Sequence, residues 1–201
     1  VKVLIACEFS AIVRDAFRAR GHDAWSCDLL PTEGDPTWHI QGDVRAILSD
    51  GWDLMIAHPP CTYLCSSGLH WNKRRPGRAL QTEESLRFVQ LLLDAPIPRI
   101  ALENPVGCIN TRIRKPDQVV QPWQFGDDAS KTTCLWLKGL PLLKHTNVLE
   151  PEAFQENGRP RWRNQTGTGQ NKLGPSPTRE KERSRTYQGI ADAMADQWGQ
   201  G

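Results

Sequence analysis

The chain reads as an α/β protein: a Rossmann-like, doubly wound and mostly parallel sheet with a late antiparallel hairpin, in a single domain. Three observations predict it. Short apolar runs alternate with segments of helical periodicity, and several of these runs end in a residue with useful chemistry. Near residue 118 the alternation gives way to two strand-like runs around the turn-forming Gly126-Asp127-Asp128-Ala129. Sheets of this kind bind ligands in the crevice at the carboxyl ends of their strands, so the strand ends are where function is sought.

Val1 to Cys7 is an almost unbroken apolar run, as expected of a parallel strand covered on both faces. Ile12 to Arg20 follows as a helix with Ile12, Val13, Ala16 and Phe17 at helical spacing, stopped by Gly21. Asp23 to Cys27 predicts a second strand ending at Asp28, and His39 to Val44 a weaker third that carries Asp43. Asp53-Leu-Met-Ile-Ala-His58-Pro59-Pro60-Cys61 predicts a fourth strand running into a stiff loop. Ser66 to Arg78 is polar and basic and reads as loop. Thr82, with Glu83 and Glu84, suits the start of a helix to Asp94 with Leu86, Val89, Gln90 and Leu93 on one face. Arg99 to Glu103 predicts strand five, and a loop with Ile109 and Ile113 follows it. Gln118 to Phe125 and Lys131 to Leu137 are the two strands of the hairpin. Pro141 to Arg185 lacks periodicity and reads as loop, whereas Tyr187 to Trp198 places Ile190, Ala191, Met194 and Trp198 on one helical face.

A length of 201 residues allows one respectable core with an appendage. The expected division is a core over 1–140, a basic loop-rich segment over 141–185, and a C-terminal helix over 186–201 docking on the core. With 25 Lys and Arg against 23 Asp and Glu the net charge is +2, too mild to argue for a polyanionic partner except through its placement. The six cysteines and the absence of a leader-like apolar N-terminus favour reduced thiols in a cytoplasm. No apolar run approaches the roughly 20 residues that cross a bilayer, so no membrane is expected.

Two strand ends carry the chemistry. The prolines fix the backbone ahead of Cys61, holding a thiol at the mouth of the sheet as a candidate nucleophile. Pro-Pro pairs also occur as plain loop punctuation, and free cysteines are often just small buried hydrophobes. The second run, Arg99-Ile-Ala-Leu-Glu103-Asn104-Pro105, delivers a carboxylate and an amide into another proline-stopped loop. At the first strand end, Phe9-Ser10-Ala11 opens a helix toward the crevice. Asp28, about twenty residues on, suits ribose hydroxyls, and Asp43 an adenine amino group; both also suit solvated loop acids.

Taken in order, these residues resemble the class I S-adenosylmethionine-dependent cytosine-C5 DNA methyltransferases, in a compact form lacking a full target-recognition domain. Phe9-Ser10 looks like the family's first motif, Asp28 and Asp43 like its second and third. Pro59-Pro60-Cys61 looks like the catalytic loop, Glu103-Asn104-Pro105 like the Glu-Asn-Val motif, and Ile190-Ala-Asp-Ala-Met194 like the last motif, which closes the cofactor pocket. The resemblance implies S-adenosyl-L-methionine as cofactor, held by Phe9, Ser10, Ala11, Asp28, Leu29, Asp43, Val44, Pro59 and Thr186. It implies Cys61, Glu103, Asn104 and Lys131 as the catalytic set. Cytosine C5 is a poor nucleophile, and attack of the Cys61 thiolate on C6, with Glu103 at N3 and the exocyclic amine, would activate it. The chain departs from the family in offering only Lys131 where an arginine-rich motif grips the base, and Ala11 where glycine is usual.

A base within a duplex must be turned out to reach such a thiol, so DNA, duplex or single-stranded, is the expected partner of a monomer. Trp71, Lys73, Arg74 and Arg75 directly follow the Pro-Pro-Cys loop, and Arg161, Trp162 and Arg163 lie in the basic segment; both sets suit phosphate contacts and stacking, although a solvated loop would look similar. Three other readings stay open: a free cytosine nucleotide or RNA as substrate, a catalytically silent nucleic-acid-binding relative, and a zinc module using His58, Cys61, Cys65 and His70.

Overall fold

In a computed structural model of the chain, residues 1–200 are described; Gly201, the last residue of the expected C-terminal segment, and the side chain of Glu180 lie outside the description. The elements in order are β1 (Lys2–Ala6), α1 (Ile12–Ala19), β2 (Asp23–Asp28), β3 (His39–Gln41), β4 (Leu54–Ala57), α2 (Ser66–Leu69), α3 (Arg78–Leu93), β5 (Arg99–Asn104), α4 (Ile109–Arg112), β6 (Gln118–Val120), β7 (Thr133–Lys138), β8 (Ala153–Phe154), β9 (Pro160–Arg161), α5 (Arg179–Ser184) and α6 (Gln188–Trp198). Seven strands form one sheet in the order β3-β2-β1-β4-β5-β7-β6. The first five in that order are parallel, while β7 runs antiparallel to both β5 and β6. This is the expected Rossmann-like sheet with its late antiparallel pair.

Alternation along the strands divides the core into two layers. Leu4, Met55, Ile100, Leu102 and Trp136 face α3, which contributes Leu86, Val89 and Leu92. Val3, Ile5, Leu54, Ile56, Ala101 and Leu135 face α1 and α6, which contribute Phe17, Met194 and Trp198. Each such fully buried side chain stabilises the fold by roughly 1.5–3 kcal/mol before conformational entropy is counted. The four residues expected on the inner face of the last helix, Ile190, Ala191, Met194 and Trp198, are all buried.

Several boundaries differ from the sequence expectation, each for a local reason. α3 begins a turn before Thr82, behind Gly77 at a left-handed φ of 77°. Thr82 is therefore a buried helix-interior residue: its hydroxyl donates to the Tyr63 carbonyl (3.0 Å) and accepts from Asn72 (2.9 Å). The buried stripe of α3 runs through Thr82, Leu86, Val89 and Leu92, and Gln90 turns to solvent, where it bonds Asp94. The stretch expected as loop at 66–78 contains α2 and a 3₁₀ turn, His70–Lys73. β3 stops at Gln41, leaving Asp43 to cap a 3₁₀ turn, Val44–Ala46. β6 ends at Val120 because Pro122 has no N–H to continue a ladder, and a 3₁₀ turn takes over there. Among the described residues no helix is long and apolar enough to cross a membrane.

The docking of α6 depends on a residue without a side chain. A Cβ at Gly189 would lie 2.0 Å from the Phe125 carbonyl oxygen and 2.9 Å from the Asp127 carboxylate, which accepts the Gly189 N–H. Gly189→Ala is expected to cost about 2–3 kcal/mol in urea unfolding, because backbone atoms cannot yield as a flexible side chain would. Gly42→Ala, where a Cβ meets open space, is expected to change stability by less than about 0.5 kcal/mol.

Candidate active site at the carboxyl edge of the sheet

β4 and β5 are parallel neighbours, with Ala57 opposite Leu102. The residues that follow them, His58 to Cys65 and Glu103 to Cys108, therefore emerge side by side. The His58 N–H donates to the Ala6 carbonyl (2.9 Å), holding the chain in line for one residue past β4. Pro59 is buried and Pro60 exposed. The Cys61 carbonyl then accepts from the N–H groups of Leu64 and Cys65, both at 3.0 Å, so Cys61 opens a single helical turn.

Asn104 binds the two loops together. Its amide donates to the Pro59 carbonyl at 2.7 Å in a buried bond, and its own oxygen has no partner among the described residues. Further along, Cys108 N–H donates to the Leu64 carbonyl (2.9 Å) and Ser66 N–H to that of Val106 (3.0 Å). Gly107 lies so close beneath that a Cβ there would sit 2.0 Å from the Leu64 oxygen. The cysteine loop and the Glu-Asn-Pro loop are one stitched unit.

Glu103 and His58 share the α1/α6 side of the sheet. His58 Nδ1 lies 3.0 Å from a Glu103 carboxylate oxygen, and both side chains are only 9% exposed. Glu103 lines a small cleft with Lys131, Thr133, Thr186, Tyr187 and Ile190. Burial alone would raise the Glu103 pKa, but the Lys131 charge and the His58 hydrogen bond hold it below the usual carboxylate value. Lys131 Nζ donates to the Arg185 carbonyl (3.0 Å), and the Arg185 guanidinium pairs with Glu33 (2.7 Å), so a strap crosses from β7 to the β2–β3 loop.

Cys61 and Cys65 act as a pair one helical turn apart. Their mutual hydrogen bond, together with burial and the nearby Glu103 charge, pushes the Cys61 pKa up, while Lys131 opposes this. The same hydrogen bond, helped by Ser67 and the Gly68 N–H, lowers that of Cys65 to about 5.

At the β1 end, Glu8 is buried and its carboxylate accepts from the N–H groups of Val13 (2.8 Å) and Arg14 (3.2 Å) and lies 3.2 Å from the Ser10 hydroxyl. It thereby occupies the N-terminus of α1 with a negative charge of the protein's own. Burial raises its pKa, opposed by His58 and by these hydrogen bonds. Phe9 is buried, and Ala11 has a left-handed φ of 65°. Glu33 N–H and the Thr32 hydroxyl both reach the Phe9 carbonyl, at 2.9 and 3.0 Å, so the β2–β3 loop folds over this turn.

The remaining expected cofactor residues sit around the same edge. Asp28 accepts from Leu30 N–H (2.9 Å), Leu29 is exposed and Val44 buried. Asp43 accepts from the Arg45 N–H and is paired with the Arg45 guanidinium, which holds its pKa low. A further side chain belongs with these acids: Cys7, at φ 60°, has its pKa raised by burial and by Asp28, Cys27 and Asp43.

The basic residues divide. Lys73, Arg74 and Arg75 are exposed, with the Arg75 guanidinium 4.5 Å from the centre of the Trp71 ring. Arg163 is exposed and Arg161 half-buried. Trp162, in contrast, is buried and stacked on Trp123, centroids 5.3 Å apart and planes 2° from parallel. In this structure it packs the segment instead of offering a free face. Among the described residues no group of three or more His, Cys, Asp or Glu could hold a metal ion, and the His70 ring lies against Trp71.

Sequence reasoning missed Glu8, weighed His58 and Cys65 only as metal ligands, and gave Thr133 and Tyr187 no role. The available signal was position: Glu8 lies two residues past β1, His58 directly follows β4, and Glu103 is the last but one residue of β5.

No family model and no curated protein matches the chain. Among solved structures, it is similar to that of a candidate DNA modification methyltransferase encoded within a prophage of E. coli. The two share 15% identity with a TM-score of 0.44, over 76% of this chain and 56% of that one. The chain thus spans little more than half the length of that protein.

The thiol pair has a direct readout. Brief iodoacetamide labelling followed by peptide mass spectrometry is expected to modify Cys65 ahead of Cys61, with the Cys65 rate half-rising near pH 5. In Cys61→Ala the Cys65 midpoint is expected to move up toward the ordinary thiol value of about 8.5, since the hydrogen bond that stabilises its thiolate is gone.

Proposed function

We propose that the chain transfers a methyl group from S-adenosyl-L-methionine to C5 of cytosine in DNA, through a covalent adduct between Cys61 and C6. The observation that carries this reading is the stitching of the Cys61 and Glu103 loops at the ends of adjacent parallel strands, by Asn104 to Pro59 and His58 to Glu103. A nucleophile and a carboxylate would thereby meet opposite edges of one small planar ring.

The charges at the cofactor end fit the same reading. In dinucleotide-binding sheets the first helix N-terminus receives a pyrophosphate. Here Glu8 already takes the N–H groups of Val13 and Arg14, and Asp28 and Asp43 stand at the neighbouring strand ends. An anionic group would be repelled, whereas a cofactor without phosphate that carries a sulfonium and an ammonium would be welcomed. Asp28 would take ribose hydroxyls, and an adenine amino group at Asp43 would share the carboxylate with Arg45. Phe9, Ser10, Ala11, Leu29, Val44, Pro59 and Thr186 would form the walls. When bound, S-adenosyl-L-methionine supplies an electrophilic methyl group.

The chain's residues supply the rest. The Cys61 thiol would lose its proton to solvent, helped by the Lys131 charge that favours its thiolate, and the thiolate so formed would add to C6 of the ring. Glu103, with one oxygen held by His58, would accept from the exocyclic amine, and would stabilise the negative charge that develops at N3 by carrying a proton taken up from solvent and donating it there. Lys131 offsets the negative charge of Glu103 and would steady the ring. After methyl transfer, the C5 proton would pass to a water molecule and its bonding pair would expel the Cys61 thiolate from C6, restoring aromaticity. Lys73, Arg74 and Arg75, beside the catalytic loop, would grip phosphates with Arg161 and Arg163.

A duplex oligonucleotide containing 5-fluorocytosine, incubated with the protein and S-adenosyl-L-methionine, is expected to form a denaturation-resistant adduct on gels. Cys61→Ala is expected to form none, and Glu103→Gln to slow turnover by about 10²–10³-fold. Parallel incubations with single-stranded DNA, RNA and cytidine nucleotides identify the substrate. Adduct formation by Cys61→Ala, or methyl incorporation elsewhere than C5, refutes the assignment.

A further inference from the structure

Cys65 is a reactive group to which the proposed mechanism gives no task. It stands with Cys61 at the two ends of one isolated turn: the Cys65 N–H donates to the Cys61 carbonyl at 3.0 Å, and the backbone leaves the turn at Cys65 with an extended ψ of 144°. Four residues along a helical path separate two Cα atoms by about 6 Å, inside the range of roughly 4.4–6.8 Å that a disulfide spans. The side chains converge as well, since the two sulfurs are hydrogen bonded to each other. Both residues are half-buried and both are free thiols.

We propose that Cys61 and Cys65 form a reversible disulfide, which withdraws the candidate nucleophile whenever the protein is oxidised. The loop is built to keep the pair together. Its Cys65 end is anchored on the Glu-Asn-Pro loop, by an isolated ladder bridge to Gly107 and by the Ser66 N–H bond to the Val106 carbonyl (3.0 Å). Its Cys61 end follows directly on Pro59 and Pro60, whose rings restrict the backbone. The other four cysteines stand apart in character: burial pushes the thiols of Cys7, Cys27, Cys108 and Cys134 upward, whereas Cys65 is the one of the six that is lowered. That the bridge silences an activity rests on the methyltransferase reading; that it forms does not.

The oxidant is a peroxide. The Cys65 thiolate attacks one peroxide oxygen, the O–O bond breaks, and hydroxide leaves with its electron pair; Cys65 becomes a sulfenic acid, and the hydroxide takes up the proton that Cys65 had given to solvent. The Cys61 sulfur then attacks the Cys65 sulfur. The S–O bond breaks, the hydroxyl departs as water with the Cys61 proton, and the S–S bond closes. In sum two thiols are oxidised and one hydrogen peroxide is reduced to two molecules of water. The first step falls to Cys65 because its thiolate is the stabilised one, with the Ser67 hydroxyl at 3.3 Å and the Gly68 N–H beside it. Cys61 then has the role of resolving thiol. An added dithiol reverses the reaction by exchange.

The test treats the reduced full-length protein with hydrogen peroxide, quenches it with N-ethylmaleimide and digests it with trypsin without reductant. Cys61 and Cys65 share the tryptic peptide 46–73. The bridge is therefore read as loss of two hydrogens from that peptide with no maleimide taken up, and dithiothreitol is expected to restore both labelling sites. Cys61→Ala is expected to stop at a Cys65 sulfenic acid, trapped by dimedone. In Cys65→Ala the peptide is expected to oxidise at least about tenfold more slowly, because an ordinary thiol is only a few per cent ionised at neutral pH. Oxidised wild-type protein is expected to form no adduct with the 5-fluorocytosine duplex until dithiothreitol is added. A peptide that keeps both labels, a bridge to Cys108 instead, or a Cys65 that runs on to sulfinic acid beside a labelled Cys61 overturns the disulfide. A bridged protein that still forms the adduct refutes Cys61 as nucleophile and leaves the disulfide standing. A reduced protein that forms no adduct refutes the methyltransferase reading, and the peptide masses still decide the bridge.

Discussion

Adjacent parallel strands lie about 4.8 Å apart, and this spacing sets the scale of everything at the carboxyl edge of the sheet. Because β4 and β5 are neighbours, the residues that leave them are separated by one strand width, close to the breadth of a pyrimidine. A strand spacing alone would not hold two loops in register. The buried bond from Asn104 to the Pro59 carbonyl and the close passage of Gly107 under Leu64 supply that. A hydrogen bond of this kind contributes only about 1 kcal/mol net, but leaving either buried group unmatched costs more. The arrangement therefore resists partial opening.

The electrostatics of the edge are asymmetric in a way that bears on ligand choice. Glu8 turns the N-terminus of α1 from an anion site into a neutralised one, and with Asp28 and Asp43 it makes the β1–β3 end acidic. Across the β4 loop the sign changes: Lys73, Arg74 and Arg75 are exposed with no ion-pair partner among the described residues. A cation at one end and a polyanion at the other would both be favoured, with the Cys61 loop between them.

Much of this was legible in the sequence, and the reasons differ by element. The apolar runs that became β1, β4 and β5 are buried on both faces, so their composition alone declares them. The last helix showed its inner face through Ile190, Ala191, Met194 and Trp198. The start of α3 was misplaced because Thr82 looks like a cap, and only tertiary contacts with Tyr63 and Asn72 reveal it as an interior residue. Gln118 to Phe125 was read as one strand although Pro122 must interrupt it. At the site, Cys61 and Glu103 stood out because proline fixes the backbone around them. Glu8, His58 and Cys65 did not, since their significance comes from neighbours distant in sequence or one helical turn away. Trp162 looked like a stacking surface, and its partner Trp123, some forty residues earlier, could not be inferred from spacing.

The strap formed by Arg185 has a kinetic meaning. It joins the two ends of the crevice through a Lys131 bond to its carbonyl and a half-exposed pair between its guanidinium and Glu33. Exposed pairs of this type contribute at most about 1 kcal/mol, so thermal motion breaks and remakes them readily. A small molecule entering or leaving over the Phe9–Ala11 turn would have to wait for such a break, while one approaching past Lys73 would not. Exchange at the two mouths of the crevice would then run on separate clocks.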